Sequence, residues 1–308
     1  MRIFVTGATG FIGSAIVPEL VNAGYQVLGL TRSEDGARSL LAAGAQVHRG
    51  DLTDLESLRR GAAMSDGVIH LAFNHDFSKY VANCEDDRRA IEALGSGLSG
   101  TDRPLLITSG TGMANGAAGR PATEQDAAAG SATIPRAASE EAAASLAAKG
   151  VRVGVVRLPQ VHDTVKQGLI TYAIEIARQK GVFAYVGDGR NRWPAVHVLD
   201  AARLYRLALE KLETGARYHA VAEEGVPMRD VADVVGRGLR VPVVSISPDD
   251  APAYFGWFAA FAGRDLPASS TLTREKLGWR PDGPRLLADL EQMRYSVSQA
   301  DAASARRA

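Results

Sequence analysis

The 308-residue sequence is poor in cysteine, in charge of one sign and in long apolar runs, and each shortage excludes something. Cys84 stands alone, so no intrachain disulfide can staple the fold, and a secretory context is neither required nor suggested. Lys+Arg and Asp+Glu both number 35, which leaves no electrostatic footprint for nucleic acid or an anionic membrane. No stretch of about 18 apolar residues occurs, so no segment reads as a membrane span. The N-terminus enters a strand at once, with no signal-peptide pattern. The expectation is a cytoplasmic enzyme of a small-molecule substrate, with no nucleic-acid, membrane or metal partner.

What the sequence does have is alternation. Arg2–Thr6, Gln26–Leu30, Ala45–His48, Gly67–Leu71, Pro104–Thr108 and Val151–Arg157 are short runs rich in Val, Ile and Leu. Helical patterns separate them, as in Phe11–Ala23, where Phe11, Ile12, Ala15, Ile16 and Leu20 share a face. Nearly continuous apolar strands between helices predict an α/β fold, a doubly wound parallel (Rossmann) sheet covered on both sides. Met113–Ser131, rich in Gly and Ala, reads as a surface loop. Helices follow near Lys166–Lys180 and Val198–Leu212, and then prolines punctuate the chain from Pro227 to Pro284. The expected organisation is a dinucleotide-binding core over 1–160 and a smaller C-terminal substrate-binding lobe over 161–300. Rossmann elements return near 195–220, and 301–308 is a frayed tail.

The strongest signal is Val5-Thr6-Gly7-Ala8-Thr9-Gly10-Phe11-Ile12-Gly13, after the first strand and opening the first helix. Gly7 permits the tight turn, Gly10 lets backbone N–H groups approach a pyrophosphate, and Gly13 lets helix and strand close up. Thr9, Phe11 and Ile12 complete the phosphate cradle. An NAD site would place a carboxylate about 20 residues further on, for the ribose 2′-OH. Here Thr31-Arg32-Ser33 stands at the tip of the second strand, and a guanidinium can clamp a 2′-phosphate. The expected cofactor is therefore NADP(H); the competing reading makes Arg32 a solvated cation beside Glu34 or Asp35. Asp51 and Leu52 follow the third strand, where they could meet the adenine amino group and ring. Asp51 or Asp54 would serve equally as a helix cap.

The pattern resembles the extended or atypical short-chain dehydrogenase/reductases, a superfamily that includes nucleotide-sugar epimerases and 3β-hydroxysteroid dehydrogenases. The resemblance runs over about residues 1–220 and rests on Thr6–Gly13, Gly50-Asp51-Leu52, His70-Leu71-Ala72, Leu106-Ile107-Thr108-Ser109, Val156–Val161 and Val196–Asp200. It implies that Leu71, Ala72 and Phe73 line the cofactor's ribose side, with Thr108 nearby, and that Pro159 and Val161 border the nicotinamide. It also implies a catalytic tyrosine with a lysine four residues later. None of the eight tyrosines has Lys at that spacing. The family's Pro-Tyr-x-x-Ser-Lys pattern falls on Pro135-Arg136-Ala137-Ala138-Ser139-Glu140, so Arg136 occupies the tyrosine slot and Glu140 the lysine slot.

Other groups must then carry any chemistry. Ser109 and Thr111 lie after the fifth strand in the segment of the family's substrate-polarising serine, or they cap a turn there. Arg136 could stabilise charge or anchor a carboxylate; its plain alternative is a surface i,i+4 pair with Glu140. His75 could relay a proton, or sit in a polar loop capping the next helix. His162, Tyr172 and Tyr185 are further donors. Trp193 offers a flat apolar wall in a substrate-side loop, and Phe255, Trp257, Phe258 and Phe261 read as lobe core, pocket lining or dimer surface. The expected function is NADPH-dependent reduction of a carbonyl or C=N group, with a proton donor other than tyrosine. A catalytically silent NADP(H) sensor and an epimerase or dehydratase are the alternatives. A homodimer through helices near 76–94 and 137–149 and a monomer both remain open.

Overall fold

The computed structural model describes residues 1–114, 116 and 119–295; the tail expected over 301–308 lies outside the described residues. The chain divides into two compact units. The first comprises Met1–Pro159, Val198–Ala222 and Ala268–Asp282, and the second Gln160–His197, Glu223–Pro267 and the segment from Gly283 onward. The stretch 268–282, which the sequence reading left within the lobe, groups by its contacts with the first unit.

The first unit is built on seven strands: β1 (Arg2–Thr6), β2 (Gln26–Thr31), β3 (Gln46–Arg49), β4 (Gly67–His70), β5 (Leu105–Gly110), β6 (Val153–Leu158) and β10 (Arg217–His219). Every pairing is parallel, in the order β10-β6-β5-β4-β1-β2-β3. The order reverses at β1, the switch point beside which doubly wound sheets bind ligands at the carboxyl ends of their strands. Strand residues alternate between two covered faces. Phe4, Leu28, Val68, Leu105, Ile107, Val153 and Val155 form one core with α3 (Leu55–Ala63), α4 (Tyr80–Leu98) and α5 (Ala138–Ala148). On the other face lie α1 (Gly13–Asn22) and α7 (Val198–Glu210). Burial on both faces explains why these strands lack polar alternation.

Two corrections follow from the strand ends. β5 continues to Gly110, so Ser109 lies within the strand and only Thr111 opens the turn after it. Met113–Ser131 is also more than a surface loop: Ala114 bridges to Ala128, and Glu124 is buried with its Oε1 accepting from the N–H (2.8 Å) and hydroxyl (2.5 Å) of Thr273.

In the second unit, β7 (Gln160–His162), β9 (Arg192–His197) and β11 (Glu223–Pro227) form a mixed sheet, and β8 (Phe183–Val186) pairs with β12 (Val243–Ile246). Its core packs Ile170, Ile174, Phe183, Val231 and Val235 from these strands, α6 (Ile170–Lys180) and α8 (Met228–Leu239). Trp193, expected as a substrate wall, is buried there, its Nε1 donating to the Arg264 carbonyl (3.0 Å). Phe255 and Phe258 join this core, whereas Trp257 stays 43% exposed with its edge against Tyr172.

Candidate active site

The glycine loop leaves β1 through Gly7, whose φ of +66° and close approach to Ala72 (2.7 Å from an added Cβ to its N) admit only glycine. Gly13 begins α1 pressed on the loop: a Cβ there would stand 2.1 Å from the Gly7 carbonyl oxygen. Ile12 caps α1 with no side-chain bond, and no acid sits in the first turn. The N–H groups of Phe11 and Ile12 find no acceptor among the described residues. An unsatisfied, positively polarised helix end under an exposed Thr9-Gly10 fits a pyrophosphate.

At the tip of β2, Glu34 is engaged by Arg49 (2.5 Å) and Asp35 by Arg38. Arg32 is exposed and has no hydrogen-bond or ion-pair partner among the described residues, so the charge presented there is positive. Ser33 caps α2 (Glu34–Ala42), accepting from Gly36 N–H (3.1 Å), and the buried Thr31 hydroxyl accepts from Ser33 N–H. Asp51 spends Oδ1 on the Thr53 N–H (2.7 Å), the Thr53 hydroxyl and the Asp54 N–H. These bonds, with a smaller contribution from Arg32, hold its carboxyl below the usual range. The turn-capping role of Asp51 is therefore real, and Oδ2 is left for an outside donor. Asp54 caps α3.

Beyond β4 and β5 lies a polar network that crosses the first unit. The Thr6 hydroxyl accepts from Leu71 N–H (3.2 Å) and Ala72 N–H (3.3 Å) and contacts His70 Nδ1 at 2.7 Å. Its own proton is thus left for Nδ1, which puts the ring proton on Nε2, 3.0 Å from Asp87 Oδ1. Asp87 Oδ2 accepts from Arg136 (2.8 Å) and from Ser139 Oγ (2.5 Å). Arg136 also donates to Ser139 and to the Thr108 carbonyl (3.0 Å), with its guanidinium 4.3 Å from the Phe73 ring centre. Burial pushes the Asp87 carboxyl up, but the Arg136 charge and the bonds from His70 and Ser139 outweigh it and hold it ionised below the usual range.

The alternative reading of Arg136, an i,i+4 pair with Glu140, does not form. Glu140 instead takes Arg157 bidentately, at 2.8 and 2.7 Å, and Arg157 is fully buried. The physical reason is that Glu140 faces inward on α5, where only a buried cation can meet it. Arg157 further donates to the Asp126 carbonyl and to His219 Nε2.

The remaining sequence candidates divide. Phe73 and His75 flank Arg136: the imidazole packs edge-on against Phe73 at 5.2 Å, and desolvation and then the Arg136 charge lower its pKa toward the neutral form. Asp76 rather than His75 caps the turn that follows. The Ser109 hydroxyl is buried with no hydrogen-bond partner among the described residues, and Thr111, two residues on, is also buried. Thr108 turns its hydroxyl inward, onto the His70 carbonyl (2.7 Å) and Tyr205 (2.6 Å). Leu52, Leu71, Ala72 and Pro159 are half-buried in the first unit, whereas Val161 is buried in the second. There His162 is held by Asp289 (2.7 Å), its Nε2 buried with no hydrogen-bond partner among the described residues.

Asp87 and Ser139 were not singled out from the sequence, because Glu85-Asp86-Asp87-Arg88-Arg89 reads as a solvated charge run. A signal was present: Asn83, Cys84, Asp87, Ala90, Ile91 and Leu94 recur at helical spacing, which places Asp87 on the buried stripe of α4. Cys84 shares that stripe, and burial pushes its thiol up to about 11. Among the described residues no group of three or more His, Cys, Asp or Glu is arranged to hold a metal ion. Among the described residues no helix is long and apolar enough to cross a membrane.

The family model described as "NAD dependent epimerase/dehydratase family" matches residues 3–222. A Schizosaccharomyces pombe protein of uncharacterized activity is 47% identical over 298 residues, covering 96% of this chain and all of the relative. The 2-alkyl-3-oxoalkanoate reductase of Stenotrophomonas maltophilia is 29% identical, covering 82% and 80%. Among solved structures, the dTDP-glucose 4,6-dehydratase DesIV of Streptomyces venezuelae, bound to NAD, shares the fold with a TM-score of 0.75 at 19% identity, covering 95% and 96%.

Proposed function

Because the chain belongs to the NAD dependent epimerase/dehydratase family, we propose that it is an NADPH-dependent reductase of a carbonyl or C=N carbon bearing apolar substituents. The observation that carries this reading is Arg136, held by Asp87, Ser139 and Thr108 in the slot where the family keeps its tyrosine. An epimerase or dehydratase opens by oxidising a hydroxyl, so a nearby group must first take a proton. A guanidinium does not deprotonate in proteins, and both oxygens of Glu140 are occupied by Arg157. Reduction has no such need. Negative charge builds on the substrate oxygen, fixed N–H donors stabilise it, and the proton can come from water; His75, held toward its neutral form, is the weaker candidate acid. The reductase named among the relatives supports the same direction.

The bound dinucleotide would supply the hydride. This chain's residues would hold it: the N–H groups of Phe11 and Ile12 on the pyrophosphate, Arg32 on the 2′-phosphate, and Asp51 Oδ2 and Leu52 at the adenine. Ser109 and Thr111, or the open backbone at Gly110, would orient the reacting oxygen. Phe73 gives an apolar surface beside it.

The test is oxidation of NADPH and NADH against apolar aldehydes, ketones and imines, with cofactor binding measured separately. Turnover with NADPH is expected, falling about 10²-fold in kcat for Arg136→Met while NADPH affinity stays within about twofold. Arg32→Ala should weaken NADPH binding about tenfold or more and leave NADH binding unchanged. Cofactor binding with no turnover on any substrate would instead favour a protein that binds the dinucleotide without catalysis. Preference for NADH would overturn the role of Arg32.

A further inference from the structure

We infer that Asp87 is a positioning residue that sets the Arg136 guanidinium relative to the dinucleotide loop; this rests on the reading that Arg136 meets developing charge. Asp87 is 1% exposed in the middle of α4, where it caps no helix. Removing a carboxylate from water costs several kcal/mol, and such a group persists only when it is fully paired. Its two oxygens do different work. Oδ1 takes His70 Nε2, whose other nitrogen is bonded to Thr6, the residue just before Gly7. Oδ2 takes Arg136 and Ser139. One carboxylate is therefore referenced at one end to the glycine loop and at the other to the guanidinium.

The consequence for Arg136 is geometric. Its two terminal nitrogens are tied to Asp87, Ser139 and the Thr108 carbonyl, and its flat face rests on Phe73. Asp87 nearly cancels its charge, so what Arg136 offers is oriented N–H donors rather than a free cation. Its Nε–H has no partner among the described residues. Donors fixed in advance need no reorganisation as charge develops, which makes their placement a rate effect more than a binding effect.

The experiment compares Asp87→Asn, Asp87→Glu and Ser139→Ala in kcat, KM and NADPH affinity. It also follows the Arg136 Nε–H by ¹⁵N NMR, assigned by its loss in Arg136→Lys. Asp87→Asn should lower kcat about tenfold or more with KM and NADPH affinity within about twofold, and Asp87→Glu should recover part of that loss. Ser139→Ala keeps both charges and so tests the idea even where Asp87→Asn does not fold; a fall in kcat of about threefold is expected. Unchanged kcat in these variants, or a loss confined to KM or NADPH affinity, would overturn the inference. A wild type that reduces no carbonyl refutes the reductase reading, and the NMR signal then decides the positioning alone. A sharp, slowly exchanging Nε–H that broadens in Ser139→Ala supports positioning, and an identical signal in all variants refutes it.

Discussion

At the scale of single residues, the two positions that the family resemblance assigns to a tyrosine and a lysine are both committed to ion pairs. Arg136 and Glu140 sit four apart on the sequence yet serve separate networks, the first with Asp87 and the second with Arg157. A lysine cannot simply be restored. Glu140→Lys would set a second cation against a fully buried Arg157, so we expect a loss of roughly 3–5 kcal/mol in stability, read by thermal or urea unfolding. A larger loss should accompany the double change Arg136→Tyr with Glu140→Lys, which also takes the cation from the buried Asp87 and should therefore not recover the family's usual chemistry. An unfolding midpoint equal to that of the wild type would contradict the pairing.

At the scale of elements, the strand–turn–helix from β1 to α1 is where local sequence and local geometry agree most closely. Gly13→Ala is expected to lower NADPH affinity about tenfold or more, because its Cβ would stand 2.1 Å from the Gly7 oxygen and 2.8 Å from Ala8 Cα. Titration of NADPH, with circular dichroism to check the fold, measures this; unchanged affinity would separate the loop from the cofactor. Helix α4 is the opposite case. Its charge run argues for solvent, while its buried stripe carries Asn83 and Asp87. Spacing alone identifies the stripe, but the partners waiting for Asp87 come from β4, from the turn just before α5 and from the first turn of α5, 17, 49 and 52 residues away in the chain.

At the scale of the molecule, the buried ionic networks make stability depend on pH. Desolvation and then the Arg157 charge lower the His219 pKa to about 4, against an ordinary 6.5, and outweigh the opposing pull of Glu124 and of the Nδ1–H bond to the Ser269 carbonyl. Between those values the unfolded chain binds the proton and the folded chain does not. Stability from this group is therefore present above about pH 6.5 and lost as pH falls toward 4, by at most about 3 kcal/mol. Unfolding midpoints across pH 4–7 should show that slope, and His219→Asn should flatten it; equal slopes would exclude His219 as the source.

The sequence by itself determined the strand–helix alternation, the glycine loop and the absence of a Tyr-x-x-x-Lys pair, because each is written in residue type and short-range spacing. It also carried the positive tip of β2, where Arg32 replaces a carboxylate. Only the tertiary structure decided which acid each arginine meets, that Ser109 stays within β5, that Trp193 is core, and that 268–282 packs with the first unit. Those outcomes depend on which side chains are desolvated together. Charge pairing in a buried network is chosen by distance in space between elements far apart in the chain, and no local pattern encodes that distance.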